Sequence, residues 1–248
     1  APQCRRVGLS ATVAWPEVLK SWLAPDADPN AVRLIEGIGG AEGRISILTA
    51  KTEMPWSGHS GVHALREVYE ELKRARNTIV FVNTRGLSEI VFQELWRLNV
   101  ENLPIALHHG SLSRENRRKV EAAMAAGKLR AVVATSSLDL GIDWAEVDLV
   151  IQMGAPKGVS RLIQRMGRSG HRLDTPSRAI LVPGNRFEVL ECRAALEAVY
   201  AQSLDGDPPG EGGLDILAQH IMIVACSGPF HPDALYAEIC AAAPYARL

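Results

Sequence analysis

Six short apolar runs, each followed by a polar cluster and then by a helical pattern, constrain the fold of this chain more than any other feature. They are "ISILTA" (45–50), "TIVFVNTR" (78–85), "PIALHHGS" (104–111), "AVVATSS" (131–137), "DLVIQMG" (148–154) and "RAILVP" (178–183). Runs this short, rich in β-branched residues and lacking polar alternation, read as strands buried on both faces. Between them Val62, Leu65, Val68, Tyr69 and Leu72 keep an i, i+3, i+4 spacing, as do Leu87, Ile90, Val91, Leu95 and Leu98, the mark of helices with one apolar stripe. Ser113 is placed to cap the next helix and Gly127 to stop it. Strands that alternate with single amphipathic helices predict an α/β domain over residues 29–203, a parallel sheet with helices on both faces.

Outside that domain the pattern changes. "DGDPPGEGG" (205–213) crowds prolines and glycines together and drops apolar residues, so 204–213 reads as a linker. Residues 214–248 suggest two helices, the second opened by Pro232 and Asp233, and are too few for a well-buried domain of their own. The opening "APQCRRVGLSATVAW" lacks an initiating methionine, and the chain reads as a piece of a longer one. No run reaches the ~18 apolar residues of a membrane span, so a cytoplasmic protein without membrane contact is expected. Net charge is −1; contact with a polyanion must therefore be local. Cys4, Cys192, Cys226 and Cys240 are scattered without a C-x-x-C pair and read as reduced thiols. His59 and His63 stand four apart but lack a third ligand, so no metal site is expected.

In an open parallel sheet, ligands collect at the carboxyl ends of the strands. Three clusters fall there: Asn83, Thr84 and Arg85; His108, His109, Gly110 and Ser111; Thr135, Ser136 and Ser137. Hydroxyls, a guanidinium and a small glycine on one rim suit a row of phosphates contacted through the backbone. The alternative is that these residues simply cap the following helices. Gly141 and Asp143 suit a close approach to a nucleotide and a ribose hydroxyl, though a plain turn explains them as well. In "QRMGRSGHR" (164–172), Arg165, Arg168 and Arg172 recur at spacings of three and four, and no acid occurs between Gly158 and Leu173. On a helix they would share a face suited to a triphosphate.

Taken in order, the segments resemble the second half of a superfamily 2 helicase motor. "GLSAT" (8–12) resembles motif III, "VFVNTR" (80–85) motif IV, "HHGSLS" (108–113) the phosphate-contacting motif after it, "VVATSSLDLGID" (132–143) motif V and "QRMGRSGHR" motif VI. Within that superfamily the text is similar to the Lhr-type, ligase-associated DEXH-box helicases, also in "DLVIQMGAPKGVSRLIQRMGRSGH" and "NRFEVLECRAAL". The resemblance implies a RecA-like fold and ATP-driven 3′-to-5′ movement on single-stranded DNA or a tailed duplex, in DNA repair beside an ATP-dependent DNA ligase and a nuclease. It implies that residues 1–28 end a first RecA-like domain, 29–203 form the second, and 214–248 begin a winged-helix domain. It also implies roles. Arg168 is the arginine finger, with Gln164, Arg165 and Arg172 in the catalytic segment; Gly141 and Asp143 lie on the ATP side. Thr84, Arg85, His109, Gly110, Ser111, Thr135 and Ser136 lie on the nucleic-acid side, and Ser10 and Thr12 couple the two. The usual second arginine of motif VI falls at His171, with Arg172 next to it.

No G-x-x-x-x-G-K-[ST] and no D-E-x-H occurs in the chain, and "GIGGAEGR" (37–44) ends without a lysine. The phosphate loop and magnesium ligands are therefore expected in the absent first domain, and the chain alone is expected to be inactive. Two alternatives compete. A non-catalytic nucleic-acid-binding module of this fold would not need Arg168 or Gln164. A helicase acting on RNA or an RNA–DNA hybrid would use the same phosphate contacts. A dinucleotide enzyme would need a G-x-G-x-x-G after its first strand, which is absent.

Overall fold

The computed structural model describes residues 6–10, 12–24, 31–37, 43–58, 60–139, 147–169 and 176–248. Two compact units divide them, residues 38–204 and residues 1–37 with 205–248. In the larger unit six strands, β1 (Arg44–Ile47), β2 (Thr78–Phe81), β3 (Ile105–His108), β4 (Ala131–Ala134), β5 (Leu149–Met153) and β6 (Arg178–Val182), form one sheet in the order β1-β6-β5-β2-β4-β3. Every pairing is parallel, so all six carboxyl ends share one edge. Each predicted run holds one strand. The strands are shorter because the polar residues closing each run already belong to the following loop or helix.

Side-chain alternation builds two cores from one sheet. Val80, Val82, Val133, Leu149, Ile151 and Ile180 pack on one face against α2 (Leu65–Arg74) and α3 (Arg85–Leu98). Ile79, Phe81, Val132, Val150 and Leu181 pack on the other against α4 (Arg114–Ala125), α5 (Val159–Met166) and α6 (Arg186–Tyr200). With both faces covered, β2, β4 and β5 are buried along their whole length, which explains their apolar sequence. Ser113 accepts a hydrogen bond from the Asn116 N–H and caps α4. Gly127, at φ 64°, takes the left-handed turn that ends this stretch. The layers are those of an α/β domain with a parallel sheet covered on both faces, as the alternating strands and helices predict.

The smaller unit holds three α-helices among its described residues, α1 (Pro16–Leu23), α7 (Leu214–Ser227) and α8 (Pro232–Cys240). Proline opens both α1 and α8, where a missing N–H costs nothing. Leu217, Leu235 and Ile239 form a small core with Val224 and Tyr245. Irregular backbone is tied in by the Trp15 indole donating to the Gly206 carbonyl at 2.7 Å and the Tyr245 hydroxyl donating to Gly213 at 2.9 Å.

Candidate nucleic-acid interface and arginine site

The three clusters at the carboxyl ends of β2, β4 and β3 come together because those strands are neighbours in the sheet. The Arg85 guanidinium donates to the Ser111 hydroxyl at 3.1 Å, which joins the β2 and β3 clusters across β4. Glu89, one turn into α3, lies 3.5 Å from both Arg85 and His109. Thr84 and Ser136 are exposed, as are Gly110 and Ser111. A Cβ on Gly110 would meet nothing within 4 Å, so the space over this edge is open. Thr135 is half-buried, its hydroxyl 3.5 Å from that of Ser137. The capping alternative holds at one place in these clusters, where Thr84 accepts from the Leu87 N–H. It does not hold for Thr135, whose side chain makes no cap hydrogen bond.

Beneath this edge the histidines are buried. His108, the last residue of β3, is 1% exposed, with Nδ1 2.8 Å from the Ser137 hydroxyl and Nε2 3.0 Å from the Glu121 carboxylate. Burial pushes its pKa below the ordinary 6.5 even though Glu121 pulls the other way. His109 is 4% exposed. It backs the rim rather than facing solvent.

The arginine segment divides where the sequence spacing suggested one face. Helix α5 ends at Met166 with Gly167 as its cap, so Arg165 is helical while Arg168 lies in the turn beyond. Arg165 points into the core and is 2% exposed. Its Nε and Nη2 donate to the two carboxylate oxygens of Asp139 at 2.8 and 3.2 Å, and Nη1 donates to the Gln152 amide oxygen at 2.5 Å. The guanidinium also stacks on Phe81, 4.5 Å from the ring centroid. Arg168 donates from Nη2 to the Asp139 carbonyl at 2.7 Å, and Arg161 lies 3.7 Å from the Asp139 carboxylate. Asp139 thus gathers three arginines.

Two connections frame this site. The Gln152 amide nitrogen donates to Asn83 at 3.3 Å, so a hydrogen-bonded path runs from Arg165 through Gln152 to the residue beside Thr84. In the other direction Ser169 pairs with Val147, ahead of β5, and accepts from the N–H of Arg178, the first residue of β6. The backbone at Ser169 therefore lies toward the amino-terminal edge of the sheet, while the Arg168 guanidinium reaches the carbonyl of Asp139, four residues past Thr135. Neither Asp139 nor Gln152 stood out in the sequence. The signal for Gln152 was a lone amide inside an apolar strand, and for Asp139 an acid four residues after Thr135.

The remaining sequence candidates divide simply. Gln164 is half-buried on α5. Ser10 and Thr12 belong to the smaller unit, where the Ser10 hydroxyl donates to the Thr12 carbonyl at 2.7 Å. Gly141, Asp143, His171, Arg172, His59 and Cys4 lie outside the described residues. Among the described residues no three His, Cys, Asp or Glu side chains gather as metal ligands, and no helix is long and apolar enough to cross a membrane.

Residues 61–172 match the helicase conserved C-terminal domain. The chain is 31% identical over 98% of its length to the Lhr helicase/uracil glycosylase of Escherichia coli, covering 19% of that protein. It is 39% identical over 74% of its length to the ATP-dependent helicase Lhr-Core of Methanocaldococcus jannaschii, covering 21%. The structure of Mycobacterium smegmatis helicase Lhr bound to ssDNA and AMP-PNP superposes with a TM-score of 0.87 at 33% identity, over 98% of this chain and 32% of that one. The chain spans about a fifth of the curated relatives it matches; over most of its own length it is similar to the Lhr helicases, and residues 61–172 match the helicase conserved C-terminal domain.

Proposed function

We propose that this chain is the second motor domain, with flanking segments, of an Lhr-type ATP-dependent helicase that moves 3′-to-5′ on single-stranded DNA and serves DNA repair in the cytoplasm. The observation that carries the reading is that one body presents both a strand-end rim suited to phosphates and an arginine site gathered on Asp139. Thr84, Arg85, Ser111 and Thr135 line adjacent strand ends, and Arg168 donates to the carbonyl of Asp139. A strand lying on the rim meets hydroxyls and a guanidinium suited to its phosphates without reading its bases. The single-stranded DNA and AMP-PNP bound to the M. smegmatis Lhr helicase support both ligands.

In this reading ATP lies between Arg168 and an absent first motor domain. Arg168 places its charge on the γ-phosphate as it transfers, a role typically worth ~10³–10⁵ in rate. Arg165, already forked onto Asp139, positions the turn that carries Arg168. The path Arg165–Gln152–Asn83 links nucleotide and DNA sides within the domain. Magnesium would neutralise the phosphates when bound, with its ligands supplied by the first motor domain. The same reading assigns residues 1–28 to the end of that first domain, 204–213 to a linker and 214–248 to the start of a winged-helix domain. A ligase and a nuclease complete the repair context.

The test joins this chain to its first motor domain. DNA-stimulated ATP hydrolysis and unwinding of a 3′-tailed duplex are expected, whereas this chain alone hydrolyses ATP no faster than buffer. Movement only from a 5′ tail, or turnover indifferent to DNA, would refute the reading.

A further inference from the structure

The rim as described grips phosphates and offers nothing to a base, yet single-strand sites elsewhere combine a charged track with aromatic platforms. Further along the same edge, at the carboxyl ends of β6 and β1, two aromatic side chains stand out of the surface. Trp56 and Phe187 are each 64% exposed, with ring centroids 6.5 Å apart and planes tilted by 58°. Both belong to segments that are held in place, and Arg186 lies over the Trp56 ring.

The holding is extensive. Arg186 lies over the Trp56 ring, its guanidinium carbon 4.2 Å from the centroid, and donates to the Glu53 carboxylate at 2.9 Å and the Met54 carbonyl at 3.3 Å. The Arg186 N–H donates to Pro55 at 3.1 Å and the Asn185 amide to Gly58 at 2.6 Å. The loop after β1 is thereby clamped to the first turn of α6. That turn is fixed in its own right: Asn185 accepts from the N–H groups of Phe187 and Glu188, and Glu188 accepts from Gly184 at 2.7 Å and Ala155 at 3.1 Å. Ala155 in turn accepts from Asn83 at 2.8 Å, the residue before Thr84. Between them Gly154, at φ 78°, brings its backbone so close that a Cβ would sit 3.2 Å from the Asn83 amide. The platform is therefore continuous with the phosphate rim through backbone and hydrogen bonds.

Distance agrees. From β2 to β6 is two strand steps, about 10 Å at the usual strand spacing, or about three nucleotides of a stacked strand at ~3.4 Å each. The other aromatic pair among the described residues of this unit, half-buried Phe92 with exposed Trp96, differs in kind. It stacks at i, i+4 along α3, and Phe92 rests on the core, which is ordinary helix-surface packing.

We propose that Trp56 and Phe187 form a stacking platform for an unpaired base of single-stranded DNA whose phosphates lie on the Thr84–Arg85–Ser111–Thr135 rim. The proposal rests on the DNA reading given above. Stacking is indifferent to which base is present, since every base has a π-face, and it adds a base-dependent share to binding that the rim lacks.

The experiment measures fluorescence anisotropy of this chain at low salt with two labelled strands of equal length, an oligothymidylate and a strand of abasic residues. Wild type is expected to prefer the oligothymidylate by about ten-fold, the size of one stacked base. Trp56→Ala and Phe187→Ala should each erase most of that preference and leave abasic binding unchanged, while Trp56→Phe keeps most of it. Arg85→Ala should weaken both strands alike. Both aromatic rings are exposed, and circular dichroism checks that each variant stays folded; quenching of 2-aminopurine on binding wild type reports stacking without any substitution. A preference that survives in both alanine variants, or an unquenched 2-aminopurine, overturns the platform while the Arg85 effect keeps the phosphate rim. Failure of wild type to bind either strand overturns both.

Discussion

Arg85 and Arg165 present the same guanidinium in opposite settings. Arg85 stands on the rim with 61% of its side chain exposed, touching Ser111 and, at 3.5 Å, Glu89. Arg165 has 3% of its side chain exposed and is forked onto Asp139, bonded to Gln152 and stacked on Phe81. An exposed ion pair is typically worth ~0–1 kcal/mol and exchanges readily for another anion. A buried one is committed, because stripping either partner leaves an uncompensated charge at a cost of about 3–5 kcal/mol. The regular spacing of Arg165 and Arg168 therefore does not repeat one role. The first builds the site, and the second, half-buried with its guanidinium donating to the Asp139 carbonyl, is the one that the proposed function places on a phosphate.

The largest effects should separate those two neighbours. In the protein with its first motor domain, Arg168→Ala should lower DNA-stimulated ATPase by ~10³–10⁵, roughly 4 to 7 kcal/mol, and leave DNA affinity within a few-fold. Near-normal turnover would remove Arg168 from the γ-phosphate. Arg165→Ala should instead lower the unfolding free energy of this chain by about 3–5 kcal/mol, read from urea denaturation. Replacing both partners, Arg165→Met with Asp139→Leu, should recover much of that loss, since an apolar pair of similar volume costs little. If the double variant were no better than Arg165→Ala alone, the cost would come from packing around Phe81 and not from the stranded carboxylate.

The strands were readable because their burial on both faces writes an apolar run for each, and Ser113 and Gly127 because caps and stops are local chemistry. The rim was readable by consequence: parallel strands put Arg85, Ser111 and Thr135 at one edge. The arginine segment was only half readable. Helix α5 stops at Gly167, so a spacing that looks like one face spans a helix and a turn. Asp139 and Gln152 escaped because their meaning lies in partners 26 and 13 residues away, pairings that only the folded sheet creates. Gln152 sits on the same face of β5 as Val150, in the slot where a further apolar side chain was expected.

On the exposed side of the comparison the effects should be smaller and salt-dependent. Arg85→Ala should weaken single-strand binding and lower the slope of log affinity against log salt by about one, the mark of a single lost phosphate contact. In the complete motor it should raise the DNA concentration that half-saturates the ATPase and spare most of the maximal rate. Titrating DNA at several salt concentrations checks both. An unchanged salt slope, or lost turnover at saturating DNA without weaker binding, would take Arg85 off the DNA.

The smallest expected effect lies where the two settings meet, directly under the rim. His108 is buried between Ser137 and Glu121, and its pKa is held below 6.5 chiefly by burial. The folded state keeps the ring neutral while the unfolded chain takes up a proton near pH 6.5, so between the two values the unfolded state binds more protons. Stability from this group is therefore full above pH ~6.5 and is lost as pH falls through the lower, folded pKa. Half-buried His63, also shifted downward by burial, acts in the same direction. Carboxylates with ordinary values titrate lower, near ~4, which leaves the interval from about pH 6.5 to 5 to the histidines. Urea midpoints measured across that interval should fall as pH drops in the wild type and fall less steeply in His108→Gln, whose amide carries no proton to gain. Equal slopes would mean that Glu121 holds the His108 proton in the folded state after all, and that charge reaches beneath the rim as well as over it.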